Sequence, residues 1–508
     1  MSNLTPTLAG HDLFGENRAL VEGLEREGAA WASDRCSSFG RLLTGEPLEW
    51  GRLANENPPR LLDDGEVEFH PAWHELMRLS LGHGLHSLSW TEEREGAHVA
   101  RAALFYLAAQ VEAGHGCPIS MTHAAVPALR AAAPDLAAEW EPRLTSTEYG
   151  RGALCGMTMT ERQGGSDLRT NTTTATATDD GDYVLDGAKW FCSAPMSDAF
   201  LVLAQAPAGL SCFLVERGDG FRIQRLKDKL GDRSNASSEI ELVRARGRLV
   251  GEEGRGIRAI LEAVVHTRLD CVLGTAAAMR QAVEQATHHA AHRTVFGALL
   301  VDRPLMQGVL ADLCLESEAA TVTALRLARA YDRRGADPRE AAFARIATAV
   351  AKYWICKRGA GHAAEALECL GGNGYIEESG MPRLYRQQPL QSIWEGSGNV
   401  VCLDVLRALE REPETRDALL DEIRQAGDPE LTALAEGAAA ELDEARARAV
   451  VERLALALQA SLLLRHAPAA VADGFRAARL GGGGLAYGAL PAGIDVAAIV
   501  ERNRPQSP

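Results

Sequence analysis

The chain has 508 residues, 46% of them hydrophobic and 24% charged, a balance that supports a large buried core and excludes a disordered chain. The length suits three or four domains. Lys and Arg number 53 against 69 Asp and Glu, a net charge of −16, so no bulk attraction draws the chain to phosphate backbones.

The N-terminus, MSNLTPTLAGHDLFGENRAL, lacks a basic stretch followed by an apolar one and does not read as a secretory signal. The most apolar part of the tail, Leu454–Leu464, is too short to span a bilayer, so a cytoplasmic protein with no membrane partner is expected. The ten cysteines are scattered, with no C-x-x-C pair, and read as reduced, buried thiols. His288, His289 and His292 have no carboxylate or cysteine at ligand spacing beside them; they read as a polar helix face, and no metal is expected.

Residues 1–152 read as helical. The stretch His98–Glu112 is apolar around most of its surface, the pattern of a buried helix. From 153 to 255 the period changes. Short strands at Thr172–Thr176, Tyr183–Leu185, Phe200–Ala204, Cys212–Val215, Phe221–Gln224 and Glu239–Val243 are separated by turns, the signature of a small antiparallel barrel or sandwich. Helical period returns over 256–410, with long helices predicted at Pro304–Arg334 and Arg339–Leu370. Residues 411–508 are again helical and Ala-rich, with a flexible joint expected at Gly481–Gly484.

Five segments could carry chemistry. Met157–Asp167 (MTMTERQGGSD) interleaves hydroxyls with small residues and leads through two glycines, which lets backbone N–H groups approach a ring system or a phosphate. A Gly-Gly turn between strands is the plain structural alternative. Lys189–Pro195 (KWFCSAP) puts Phe191 and Ser193 on one face of a strand, suited to a flat ligand or simply to core packing. Arg293–Gly297 (RTVFG) offers a guanidinium for phosphate, or a surface arginine beside a helix C-cap glycine. Leu370–Tyr375 (LGGNGY) permits close backbone approach, or ends a helix. Ser392–Asn399 (SIWEGSGN) matches a capping box, but two glycines follow in what would be the first turn and are poor helix formers. They suit a helix N-terminus facing phosphate, with Glu395 as a partly desolvated general base.

Taken in order, MTERQGGSD, KWFCS, RTVFG, LGGNGY and WEGSGN resemble the signatures of the acyl-CoA dehydrogenase superfamily. The runs Ser234–Ser237 (SNAS), Pro382–Arg386 (PRLYR) and SIWEGSGN, with the extra C-terminal region, resemble its adaptive-response, AidB-type branch. The resemblance implies an α+β multidomain chain: an N-terminal helical domain (1–152), a β-barrel or sandwich domain (153–255), a helical bundle (256–410) and an added C-terminal helical domain (411–508). It implies FAD held by the β domain and the bundle of a homotetramer. Carried over residue by residue, Met157, Thr158, Met159, Thr160, Gly165 and Ser166 contact the cofactor, as do Phe191, Cys192 and Ser193. Ile393, Trp394, Gly396, Ser397 and Asn399 line it, and Arg293 reaches a phosphate of a neighbour's FAD.

Glu395 is the implied base, abstracting the α-proton of a short or branched acyl thioester while a hydride leaves the β-carbon. Some members carry the base on the first helix after the β domain, where this chain has Thr267. The related nitroalkane oxidase uses aspartate at the glutamate position. Pro304, Glu368 and Asn399 depart from the family's glutamines. The alternative implied by the same resemblance is a DNA-associated flavoprotein protecting against alkylation damage. Residues 411–508 hold eleven arginines, no lysine and fifteen acids, 11 − 15 = −4, a poor footprint for duplex DNA. Arg446 with Arg453, and Arg476 with Arg479, could still form a basic stripe or pair with neighbouring glutamates.

Overall fold

The computed structural model describes residues 3–506. The chain folds into two compact units: one comprises Met1–Glu46, Arg94–Val111 and Arg268–Pro508, the other Pro47–Glu93 and Glu112–Thr267. The helices of the first 150 residues are thus divided between the two.

The second unit is organised by a β domain. Its strands are β1 (Cys155–Thr158), β2 (Thr174–Ala177), β3 (Tyr183–Ser193), β4 (Ala199–Ala206), β5 (Gly209–Glu216), β6 (Phe221–Leu226) and β7 (Ser237–Val250). β2, β3, β7, β5 and β4 pair in succession, and β4 also pairs with β2, so five strands close a ring. β1 attaches to β4 and β6 to β7. The expected barrel is present but is not wholly antiparallel: β1 and β2 both run parallel to β4. Period-2 alternation turns Leu185, Phe200, Val202, Phe213, Val215, Ile240 and Leu242 into a shared core, with Phe200 stacked on Phe221 at a ring separation of 4.4 Å.

The first unit is helical. Its buried helix α1 (Ala97–Val111) is close to the one read from the sequence. A long helix, α2 (Gly256–His292), enters it and is followed by a hairpin, β8 (Thr294–Val295) and β9 (Ala298–Leu299). Then come α3 (Pro304–Arg333), α4 (Pro338–Cys369), α5 (Met381–Gln391) and α6 (Gly398–Arg411). Pro304 and Pro338 stand in the first turns of their helices, where a missing N–H costs nothing, and Asp337 caps α4 by accepting from the Arg339 N–H. Pro304 is therefore a helix-start residue. Beyond 411 lie α7 (Pro413–Arg424), α8 (Pro429–Ala439), α9 (Ala447–His466), α10 (Ala469–Leu480) and α11 (Val496–Asn503). The Gly481–Gly484 segment turns the chain back: Gly484 N–H donates to the Ala489 carbonyl, and α11 packs on α3.

All ten cysteines are free and buried. Among the described residues no helix is long and apolar enough to cross a membrane.

Candidate functional site

In the β unit, the first two motifs meet. The Trp190 N–H on β3 donates to the Thr160 carbonyl just after β1, at 2.9 Å. Lys189 and Glu161 lock the same junction from inside, with Nζ to Oε1 at 2.7 Å and both side chains buried. Glu161 also accepts from the backbone and hydroxyls of Thr172 and Thr173. Burial alone pushes its carboxyl up, but the Lys189 ammonium and the Thr173 hydroxyl outweigh that and hold it at about 2. These two charged residues thus brace the site and do not face a ligand.

Met159 and Thr160 are half-buried, Gly165 and Ser166 exposed. A Cβ on Gly165 would lie 2.9 Å from the Thr160 Cγ2, so backbone N–H is what this turn can present. Phe191 is 50% exposed, an aromatic face left open on the barrel, and Ser193 follows on the same side of the strand. The side chains of Met157, Thr158 and Cys192 instead point into the interior; only their backbone is available to a ligand. Of the branch-specific runs, Ser234 donates to the buried Glu112 at 2.7 Å, which makes it a brace as well.

In the helical unit, the glutamate loop is not a capping box. Ser392 closes α5 as its C-cap, and the N-cap of α6 is Ser397, five residues later than that pattern requires. Between them Glu395 takes φ of 58° and Gly396 φ of 106°. A glutamate in the left-handed region is strained by about 1–3 kcal/mol, so the surroundings must hold it there. Arg268 of α2 donates Nε to the Glu395 carbonyl at 2.9 Å, and Nη1 to Asp404 of α6 at 2.8 Å. Arg345 of α4 grips the other oxygen of Asp404 at 2.9 Å. Lys352 of α4 donates to the next carbonyl, that of Gly396.

Around this turn Ile393 is exposed, Trp394 donates to Gln391 at 3.0 Å, and Ser397 and Asn399 are exposed at the start of α6. Asn399 accepts from Arg448 of α9 at 2.8 Å. Thr267 is buried and donates to its own helix at Val264, so it offers no base.

Arg293 lies just past the end of α2, 25 residues beyond Arg268. At 1.5 Å per residue that is about 37 Å along the helix from the arginine that holds the glutamate turn. RTVFG is also not a helix cap: Phe296 and Gly297, with φ of 48° and 81°, form the two-residue turn of the β8–β9 hairpin. Arg293 Nη1 donates to the Asn3 carbonyl at 2.7 Å. The LGGNGY glycines form a tight 3₁₀ turn after α4.

Most arginines of the C-terminal region face carboxylates. Arg446 and Arg453 share Glu441, Arg476 pairs with Asp428 and Glu430, and Arg479 reaches Asp312 at 2.6 Å and Glu316 at 2.7 Å. Ten of the eleven face a carboxylate; Arg448, on Asn399, is the exception.

Sequence reasoning missed Arg268, Arg345, Asp404 and Lys352. One signal was available for the last: Lys352 is the single charge in the run Ile346–Cys356. A lone buried charge in an apolar helix asks for a partner.

Comparison with known proteins agrees with this arrangement. Residues 3–151 match the adaptive response protein AidB N-terminal domain, 156–245 the acyl-CoA dehydrogenase middle domain and 254–410 the acyl-CoA dehydrogenase C-terminal domain. The chain is 52% identical to the AidB protein of Escherichia coli K12 over 438 residues, 81% of this chain and 80% of that one. It is 31% identical to acyl-CoA dehydrogenase family member 11 of Caenorhabditis elegans, over 73% of this chain and 66% of that one. The structure of C. elegans ACDH-11 in complex with C11-CoA superposes with a TM-score of 0.86 at 26% identity, covering 100% of this chain and 93% of that one. The protein is a member of the acyl-CoA dehydrogenase family, FAD-dependent oxidoreductases acting on CH–CH groups, with an AidB-type N-terminal domain.

Proposed function

We propose that the chain dehydrogenates an acyl-CoA between its α- and β-carbons, with Glu395 as the base. The observation that carries this is the left-handed turn at Glu395, held by two cations through its backbone. Strain of this kind concentrates where a side chain must be presented in one direction.

FAD, when bound, accepts the hydride. The protein's part is positional. Met159, Thr160, Gly165 and Ser166 offer backbone and hydroxyl donors and Phe191 and Ser193 a flat face, while Trp394, Ser397 and Asn399 offer groups from the glutamate loop. Glu395 takes the α-proton onto its carboxylate. Arg293, about 37 Å along α2 from Arg268, serves a neighbouring subunit's cofactor in a homotetramer. Phe296, 99% exposed at the hairpin tip, and the exposed Leu305 nine residues on support an interface there. Ten buried free thiols support a reducing, cytoplasmic setting.

The test is anaerobic reduction of the holoprotein by a panel of acyl-CoAs. Short and branched thioesters are expected to work; medium chains belong in the panel because ACDH-11 binds C11-CoA. A holoprotein whose flavin no thioester bleaches overturns the reading. A second reading, DNA-associated protection against alkylation, is favoured by the AidB likeness and opposed by the carboxylate-paired arginines of 411–508.

A further inference from the structure

Lys352 sits on α4 in an apolar stretch and is 1% exposed. Among the described residues no carboxylate pairs with it; its ammonium donates to the carbonyl of Gly396. Burying an ammonium without a counter-ion is costly, and a group of that kind persists where its position does something else.

What it touches is the residue directly after Glu395. The two consecutive carbonyls at 395 and 396 are each held by a different cation from a different helix, Arg268 from α2 and Lys352 from α4. The two carbonyls flank Gly396, so fixing both sets the φ and ψ of that glycine, whose φ of 106° completes the turn begun at Glu395. Glu395 itself stands at φ of 58°, unfavourable for a residue with a Cβ, and keeps it only while the turn that follows is held. Arg268 is cross-braced by Asp404 and Arg345, whereas Lys352 acts alone.

We infer that Lys352 is a positioning residue for Glu395: by holding the Gly396 carbonyl it keeps the glutamate backbone left-handed and its carboxylate aimed at the substrate. The inference rests on Glu395 being the base, and the test separates the two.

The variants are Lys352→Met, Lys352→Arg and Glu395→Gln, each prepared as FAD holoprotein. In anaerobic reduction by an acyl-CoA that bleaches wild type, Lys352→Met is expected to lose about tenfold or more in limiting rate, because small misplacements of a reacting group are expensive. The half-saturating substrate concentration stays within about twofold and FAD content is unchanged, since neither binding contact is removed. Lys352→Arg, which restores a cationic donor, recovers much of the rate. If Lys352→Met does not accumulate as folded protein, Lys352→Gln carries the same comparison. A Lys352→Met rate equal to wild type, with Glu395→Gln inactive, overturns the positioning role and leaves the base in place. Should wild type reduce with nothing, the reading of the site fails, and the crystal structure of Lys352→Met decides the inference by itself. Glu395 leaving the left-handed region supports it; Glu395 remaining at positive φ overturns it.

Discussion

Lys189 and Glu161 form a buried ion pair at 2.7 Å that joins the segment after β1 to the middle of β3. Both belong to stretches whose neighbours, Thr160 and Phe191, face outward. The pair sets the spacing between those neighbours, so the charged residues of the two motifs determine the shape of the site from behind it.

Removing one partner leaves an uncompensated charge in the barrel. Lys189→Met is expected to cost about 3–5 kcal/mol in denaturant unfolding. The double variant with Glu161→Gln is expected to lie well short of the sum of the two singles. Glu161, held at about 2 when folded, contributes stability above its unfolded value of 4.5 and loses that contribution as pH falls from there towards 2. Unfolding followed between those pH values should show the loss in wild type and a flatter profile in Glu161→Gln.

The purified chain should be yellow and release FAD, not FMN, on denaturation. Separation of the released flavin by chromatography checks this. Colourless protein that takes up no added FAD would falsify the flavoprotein reading.

Glu395→Gln keeps the size of the side chain and deletes the base. It should retain FAD and lose on the order of a hundredfold or more in acyl-CoA oxidation. Stopped-flow bleaching measures it, and a variant as fast as wild type removes Glu395 from the chemistry.

Arg293→Ala should loosen FAD and reduce the assembly together, because a phosphate contact made across subunits couples cofactor binding to oligomer size. Asn3→Ala should have a smaller effect of the same sign. The Asn3 amide bonds both to the Thr294 N–H and to its carbonyl, and so shapes the turn next to Arg293. Flavin titration alongside light scattering reads both; unchanged values in Arg293→Ala argue for a different interface.

Duplex DNA binding by the full chain should be weak and salt-sensitive, and Arg476→Ala should leave it unaltered, since that guanidinium is committed to Asp428 and Glu430. Arg479→Ala should lower stability by leaving Asp312 and Glu316 without a cation they share. Anisotropy titration and thermal unfolding separate the two effects. Tight binding lost in the Arg476 variant raises the DNA reading above the enzyme.

Local pattern was enough for the element types. Period-2 stretches became barrel strands and the long helical repeats became α3 and α4 within a residue of their expected ends, because burial of one face enforces each period. Motif order was enough for the family, since five short segments rarely recur together in this order by chance. The sequence could not say which motif residues face inward. Glu161, Lys189 and Ser234 look like site residues and are braces, while Met157, Thr158 and Cys192 turn their side chains into the core. Nor could it find the clamp on Glu395. Arg268 and Lys352 lie 127 and 43 positions before it and reach only its backbone and that of Gly396. A backbone carbonyl has no identity in the sequence, so contacts made to it exist only once three helices have packed.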